Sequence, residues 1–179
     1  YLANFKIAFI LNQLGGYNNS LEYSRKSLII EPNKWQLYIL NIQILENLNR
    51  IKEALTVAEK ANKTLPDNNI ILAKIASLNA SLGAHKVAEE YFIKSLKINP
   101  NEIDTLYLYS IHLLSLGNTH KSKEILKQII NLNCDYSIAY FSLSRLIKLN
   151  DDEFISKILN FNIDIFKDNY NKYNILFAK

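Results

Sequence analysis

The chain has 179 residues, of which 49% are hydrophobic and 21% are charged, and its formal net charge is +4. This composition excludes a disordered chain, and the lysines are spread along the sequence without the clustering that a nucleic-acid site needs. Cys134 is the only cysteine, so an intrachain disulfide is excluded and the thiol is expected to be a small buried apolar group.

The most apolar stretch, residues 105–120, is too short and too polar to span a bilayer, and no signal peptide opens the chain. We therefore expect a cytoplasmic protein that contacts neither membranes nor nucleic acids. The sequence lacks methionine and ends in the middle of the pattern described below, so we expect a fragment of a longer, bacterial protein.

The segment 1–34 predicts two helices. An apolar-periodic run ends at Gly15, and a second run resumes at helical spacing and ends before Pro32. The segment 69–102 repeats this arrangement, with Gly83 between the two runs and Pro100 after the second. Pro32, Pro66 and Pro100 are equally spaced along the chain, which predicts a repeat architecture.

When the sequence is written in rows of 34 residues, the spacing of these prolines, five repeats and the start of a sixth align without a gap, and equivalent positions form columns. One column of the first helix consists mostly of small side chains, and one column of the second helix consists entirely of them. We expect the two helices to cross at these columns, because helices joined by a short turn approach closely only where the side chains are small. The first-helix column is Ala8, Ile42, Ala76, Ser110, Ser144 and Ala178, and the second-helix column is Ser20, Ala54, Ala88, Ser122 and Ser156. The turn column is Gly15, Asn49, Gly83, Gly117 and Asp151.

This pattern resembles the tetratricopeptide repeat (TPR) over essentially the whole chain. The resemblance implies an all-α, right-handed α-solenoid of stacked antiparallel helix pairs in a single array. The predicted repeats are residues 1–34, 35–68, 69–102, 103–136 and 137–170, with a sixth beginning at 171–179. The chain departs from the family at Asn41, Asn79 and Asn160, which replace apolar residues, and at Cys134 and Asp168, which replace the proline.

In this family the first helices line a concave groove that binds extended peptides or helices of partner proteins. The candidate partner-binding residues carried over from the resemblance are Phe5, Lys6, Phe9, Asn12, Ile39, Gln43, Lys74, Ser77, Tyr107, Ile111, Phe141, Arg145 and Lys148. The same face of the predicted first helices also carries Leu40, Glu46, Ala73, Leu108 and Ser142. Chaperone-binding members clamp a terminal carboxylate with Lys, Asn and Arg, but only Lys74 keeps a cation here, so we expect no such clamp.

The apolar candidates have two interpretations. In one, an apolar peptide or helix is anchored by Phe5, Phe9, Ile39, Tyr107, Ile111 and Phe141, and its polarity is set by Lys74, Arg145 and Lys148. In the other, superhelical curvature brings neighbouring first helices together, and the apolar side chains bury one another. Phe5 and Phe9 lie in the first row, where a further repeat could also cover them.

The sequence indicates no enzyme. Of the three histidines, His85, His112 and His120, the last two are eight residues apart across a turn and form no metal-ligand motif with a carboxylate or cysteine, and no phosphate-binding loop or paired-carboxylate motif is present. The acidic residues 151–153 read as the start of a helix. We expect neither a cofactor nor a metal.

Three functions are compatible with these observations. The first is a non-catalytic protein-interaction scaffold that binds a peptide or helix of a partner. The second is an accessory arm of a larger transferase, because residues 134–159 and 173–179 are similar to the segment that joins such repeats to a sulfotransferase-like domain in bacterial proteins. The third is self-association into a homo-oligomer through the end helices.

Overall fold

The computed structural model describes residues 1–146, and that part of the chain is built of α-helices joined by short turns, without a strand. The chain divides into two compact units between Pro100 and Asn101. The helices of the first unit are α1 (Leu2–Gln13), α2 (Tyr17–Ile30), α3 (Trp35–Asn47), α4 (Ile51–Thr64), α5 (Asn69–Ser81) and α6 (His85–Ile98). The described helices of the second unit are α7 (Ile103–Ser115), α8 (Thr119–Leu132) and α9 (Ser137–Ser144).

The first unit is a stack of three antiparallel helix pairs. Within each pair the second helix packs against the first, as α2 does on α1, α4 on α3 and α6 on α5. Successive pairs are joined by contacts of α2 with α3 and of α4 with α5, and the first helices α1, α3 and α5 also follow one another in contact. The predicted all-α fold of stacked helix pairs is thereby confirmed.

The turn inside each pair has the geometry that the turn column predicts. Gly15 has φ +79°, and Gly16 N–H donates to the Leu11 carbonyl at 2.8 Å, which closes the last turn of α1. Asn49 adopts φ +56° at the same column, and Arg50 N–H donates to the Leu45 carbonyl at 2.8 Å. Asparagine tolerates the left-handed region better than other non-glycine residues, so the turn survives there without glycine.

The prolines mark the ends of the second helices. Helix α2 ends at Ile30 before Pro32, α4 ends at Thr64 before Pro66, and α6 ends at Ile98 before Pro100. A proline disfavours helical backbone at the residue before it and so favours these ends, although α8 ends at Leu132, in the same column, before Cys134 instead of a proline.

The small columns meet where the two helices of a pair cross. Ala8 and Ser20 are fully buried, and Ser20 Oγ donates to the Ala8 carbonyl at 2.6 Å. The same bond recurs in the second unit, where Ser122 Oγ donates to the Ser110 carbonyl at 2.9 Å. The side chains therefore give both the close approach and a hydrogen bond that joins the helices.

The core of the first unit is centred on α3, which is covered by neighbours on both sides. Its residues Tyr38, Ile42, Ile44 and Leu45 are each at most 1% exposed. Helices α4 and α5 add small or branched apolar groups such as Ala58 and Ile75 to the same cluster. Burial of this much apolar surface is the main source of the stability of the unit.

The second unit begins with one more helix pair, α7 and α8, and α9 packs against α8. Leu126, Ile129 and Leu143 are fully buried. The expectation of a buried Cys134 is wrong, because this thiol is exposed in the short connection between α8 and α9. Pro32, Pro66 and Pro100 are exposed at the same position of the first unit, so this column of the repeat lies on the surface with or without a proline.

Several predictions fall on residues outside the described part of the chain. They concern Lys148, the helix start at residues 151–153, Asn160, Asp168 and the sixth repeat. The single array over residues 1–179 stays a prediction. Among the described helices, none is long and apolar enough to cross a membrane.

Candidate partner-binding surface

The candidate residues are distributed over both units, and each unit presents its own set. Phe5, Lys6, Phe9 and Asn12 lie on α1, Ile39 and Gln43 on α3, and Lys74 and Ser77 on α5. The second unit carries Tyr107 and Ile111 on α7, Phe141 on α9 and Arg145 directly after it. Lys148 lies outside the described residues.

One column of the repeat crosses the first helices of the first unit and remains accessible there. We call Phe9, Gln43 and Ser77 the first-helix row, because they occupy the same position of successive repeats, on α1, α3 and α5. Phe9 is 48% exposed and Gln43 is also exposed, whereas Ser77 is half-buried. Lys6 is exposed beside this row. The row is apolar at α1 and polar at α3 and α5.

Other candidate residues lie in the apolar core or pack against it. Phe5 and Ile39 pack against the apolar cluster of the first unit and are half-buried. Leu40 and Ala73 are only 3% and 4% exposed, so their expected place on an open groove face is wrong. Neighbouring pairs cover both flanks of α3, and α5 packs against α3, α4 and α6, which leaves only part of each helix accessible.

Polar side chains connect successive first helices. Asn47 Nδ2 donates to Asn12 Oδ1 at 2.9 Å, which links α3 to α1. Lys74 Nζ lies 3.2 Å from Glu46 Oε2, and these side chains are 20% and 27% exposed. Lys74 therefore has a carboxylate on the preceding first helix as its partner.

The outward side of α1 exposes a stripe of branched apolar side chains. Ile7, Ile10 and Leu14 follow one another at helical spacing and are 39%, 55% and 78% exposed. A small recess of about 210 Å³ lies at the start of the same helix, between Phe5, Lys34 and Leu37. At its edge Lys34 donates to Tyr1 Oη at 2.9 Å, and this hydrogen bond raises the pKa of Lys34.

The candidates of the second unit contact one another. Tyr107 packs edge-on against Tyr136 with ring centroids 5.8 Å apart, and its hydroxyl lies 3.4 Å from Ser142 Oγ. The Arg145 guanidinium lies 5.9 Å from the centre of the Phe141 ring. Tyr107 and Phe141 are half-buried, whereas Ile111 is 40% exposed. Mutual burial therefore describes Tyr107 and Phe141 better than Ile111, and binding of a partner stays a prediction.

The titratable groups of the described residues do not form a reactive cluster. The hydrogen bond from Cys134 Sγ to Asp135 Oδ1, at 3.5 Å, raises the pKa of the thiol and disfavours the nucleophilic thiolate. Burial raises the pKa of Tyr140 to about 12. His112 is buried, and within residues 1–146 no group of three His, Cys, Asp or Glu side chains is placed to hold a metal.

Comparison with known proteins identifies the repeat. The family model of the tetratricopeptide repeat matches residues 71–102, which contain most of α5 and all of α6. No curated protein matches the chain in sequence. The similarity to a segment that precedes a sulfotransferase-like domain remains a prediction, and it falls mostly outside the described residues.

Solved structures share the fold at low sequence identity. TTC0263, a thermophilic TPR protein of Thermus thermophilus, is 16% identical, with 99% of this chain and 97% of that chain covered and a TM-score of 0.78. PilF of Pseudomonas aeruginosa is 15% identical over 98% of this chain and 74% of its own, with a TM-score of 0.72. YrrB, described as a TPR protein with an unusual peptide-binding site, is 16% identical over 95% and 88%, with a TM-score of 0.57.

At such identities these structures show the fold alone. The kind of repeat is indicated by the family-model match to residues 71–102 and by the geometry at the aligned positions of the repeats. The small residues at the helix crossings, the left-handed turn after each first helix and the proline after each second helix recur in the first unit at the spacing of the repeat. Residues 71–102 therefore match the tetratricopeptide repeat, and the first unit has the fold of stacked helix pairs that repeats of this kind form.

Proposed function

We propose that this protein is a non-catalytic interaction scaffold that binds a peptide or helix of a partner protein along the first-helix row. The observation that carries the proposal is the 48% exposure of Phe9 beside the exposed amide of Gln43. Aromatic anchors next to hydrogen-bonding groups are typical of residues that dominate binding energy at protein interfaces. The fold supports the proposal, since TPR arrays serve as protein-binding surfaces.

The row also indicates how a partner would lie. An apolar side chain of the partner would pack on Phe9, and its polar groups would meet Gln43 and Ser77 on the next two first helices. Lys6, one turn from Phe9 on α1, would favour an acidic group nearby. Such a partner would run across successive repeats, parallel to the stacking direction of the first unit.

Site-specific photo-crosslinking tests this proposal. Benzoylphenylalanine would replace Phe9 in one variant and Ile93 in a control, because Ile93 is 42% exposed but lies on the second helix α6. We expect a discrete crosslinked partner from position 9 and none from position 93. Phe9→Ser should then weaken binding of the identified partner at least tenfold. Equal crosslinking from both positions would count against the first-helix row.

A second candidate function is self-association through α1. The stripe of Ile7, Ile10 and Leu14 is an exposed apolar face of the kind that a further helix commonly covers. Light scattering at high protein concentration should show a dimer or larger species, and Ile10→Glu should convert it to a monomer while Ile93→Glu leaves it unchanged. A monomeric wild-type protein under these conditions would exclude this function.

A further inference from the structure

A recess of about 460 Å³ lies between α2, α3 and α4, on the side of the second helices and away from the first-helix row. We call it the second-helix recess. Leu28, Pro32 and Val57 form apolar walls, and Arg25, Asn41 and Lys60 contribute polar groups. A volume of this size is within the range of sites that hold small molecules or side chains of a partner.

The most informative residue of the second-helix recess is Asn41. It is 1% exposed, and its amide oxygen is buried without a hydrogen-bond partner among the described residues. Asn79, the other described asparagine in an apolar column, donates through Nδ2 to the Ile75 carbonyl at 2.9 Å. Buried polar groups are nearly always hydrogen-bonded, so the amide oxygen of Asn41 is an open acceptor in the wall of the second-helix recess.

The charged residues that line the second-helix recess are both positive. Arg25 and Lys60 line it, and no acidic residue does. The nearest carboxylate of Arg25 is that of Glu53 at 3.9 Å, and Glu53 is engaged more closely by Arg50 at 2.6 Å. Within the described part of the chain, Lys60 forms no ion pair. The second-helix recess is therefore poised to attract a negatively charged group.

A second recess one repeat further along provides an internal comparison. It lies between α4, α5 and α6, where the equivalents of five residues of the second-helix recess occur one repeat later, namely Asn62, Pro66, Leu72, Tyr91 and Lys94. Asp67 also lines it. The position equivalent to Asn41 is Ile75, which is buried and apolar. The repeat geometry thus forms both recesses. The buried amide oxygen without a partner belongs to the first, which no acidic residue lines, whereas the second has Asp67 beside Lys94 and Lys97.

We propose that the second-helix recess binds an acidic peptide that carries a large apolar side chain. The apolar side chain would fill the space between Leu28, Pro32 and Val57. A backbone N–H of the peptide would donate to the amide oxygen of Asn41, and its carboxylates would pair with Arg25 and Lys60. This site is separate from the first-helix row, so the array would hold two partners on different faces.

The experiment is a titration of the full ¹⁵N-labelled chain, followed by NMR, with the peptide acetyl-Glu-Leu-Phe-Glu-amide. We expect shifts in the side-chain amide signals of Asn41 and in the backbone signals of Leu28 and Val57. The control peptides acetyl-Lys-Leu-Phe-Lys-amide and acetyl-Glu-Ser-Ser-Glu-amide should cause at least tenfold weaker shifts. No shift of these signals with the acidic peptide, or equal shifts with the basic one, would overturn the proposal.

Two variants and a matched control locate the site. Asn41→Leu should leave the melting temperature unchanged or higher, because it removes an unsatisfied amide, yet weaken peptide binding at least tenfold. Lys60→Glu alters an exposed residue and should weaken binding to a similar extent, whereas Lys94→Glu, at the equivalent position one repeat later, should bind normally. Undiminished binding by Lys60→Glu, or equal losses in Lys60→Glu and Lys94→Glu, would contradict the assignment.

Discussion

The first and second helix pairs share one sequence pattern but differ in what their first helices expose. Ile10 on α1 and Ile44 on α3 occupy the same column, and they are 55% and 0% exposed. Phe9 on α1 and Gln43 on α3 also occupy the same column, and both are exposed, so α1 exposes an aromatic side chain where α3 exposes an amide. Helix α3 has a pair on each side, whereas the described structure provides α1 with neighbours on one side only.

This difference follows from the one-dimensional organisation of the fold. Each pair contacts only its neighbours, so the burial of a side chain depends on its column and also on whether the next pair is present. An isoleucine in the same column is therefore a core residue in one repeat and an available contact surface in another. Three pairs of variants test this comparison in order of decreasing effect.

The largest effect is expected for Ile44→Ala. Removing three methyl or methylene groups from a fully packed site should lower the free energy of unfolding by about 2–5 kcal/mol. Ile10→Ala, its matched control, should change stability by less than about 0.5 kcal/mol, because the side chain is largely in solvent. Urea denaturation monitored by circular dichroism measures both values. Similar losses in the two variants would show that α1 is covered in solution.

A smaller effect is expected at the helix crossing. Ser20→Ala removes the hydrogen bond from Ser20 Oγ to the Ala8 carbonyl and should destabilise the first pair by about 0.5–1.5 kcal/mol. Alanine is already present at the equivalent position of the second pair, Ala54, so the loss should not come from a steric change. Ser81→Ala, on an exposed part of α5, provides the control in the same denaturation assay and should be nearly neutral.

The smallest effect concerns the links between successive first helices. Glu46→Gln breaks the ion pair with Lys74 and should lower stability by less than about 1 kcal/mol, with a loss that shrinks as salt rises. Asn47→Ala removes the uncharged link between α3 and α1, and its effect should not depend on salt. Thermal melts at low and high ionic strength distinguish the two. A salt-independent loss for Glu46→Gln would contradict the ionic description.

Much of the fold could be predicted from the sequence because it depends on local chemistry. Gly15 and Pro32 determine helix ends through backbone preferences that act within a few residues. Ala8 and Ser20 indicate the helix crossing because only small side chains allow that approach. Cys134 was placed wrongly for the opposite reason, since its burial depends on whether something packs over the short connection between α8 and α9.

The candidate site was less predictable. The resemblance placed Leu40 and Ala73 on an accessible face, but both are buried, because the width of the accessible strip is determined by neighbouring pairs. The partner of Lys74 is Glu46 on the preceding first helix, and no local pattern indicates that pair. Asn41 was visible as a departure from an apolar column, yet its orphaned oxygen became apparent only when the packing around it was known.

The bonds at the helix crossings also bear on how the chain folds. Ser20 Oγ donates to the Ala8 carbonyl, 12 residues earlier, and Ser27 Oγ donates to the Tyr1 carbonyl, 26 residues earlier. Both hydrogen bonds therefore close short loops of the chain. Closing such loops costs little chain entropy, and proteins dominated by near-neighbour contacts fold quickly. Folding of the first unit could then begin in any helix pair and spread to the next, with a rate that depends weakly on the number of repeats.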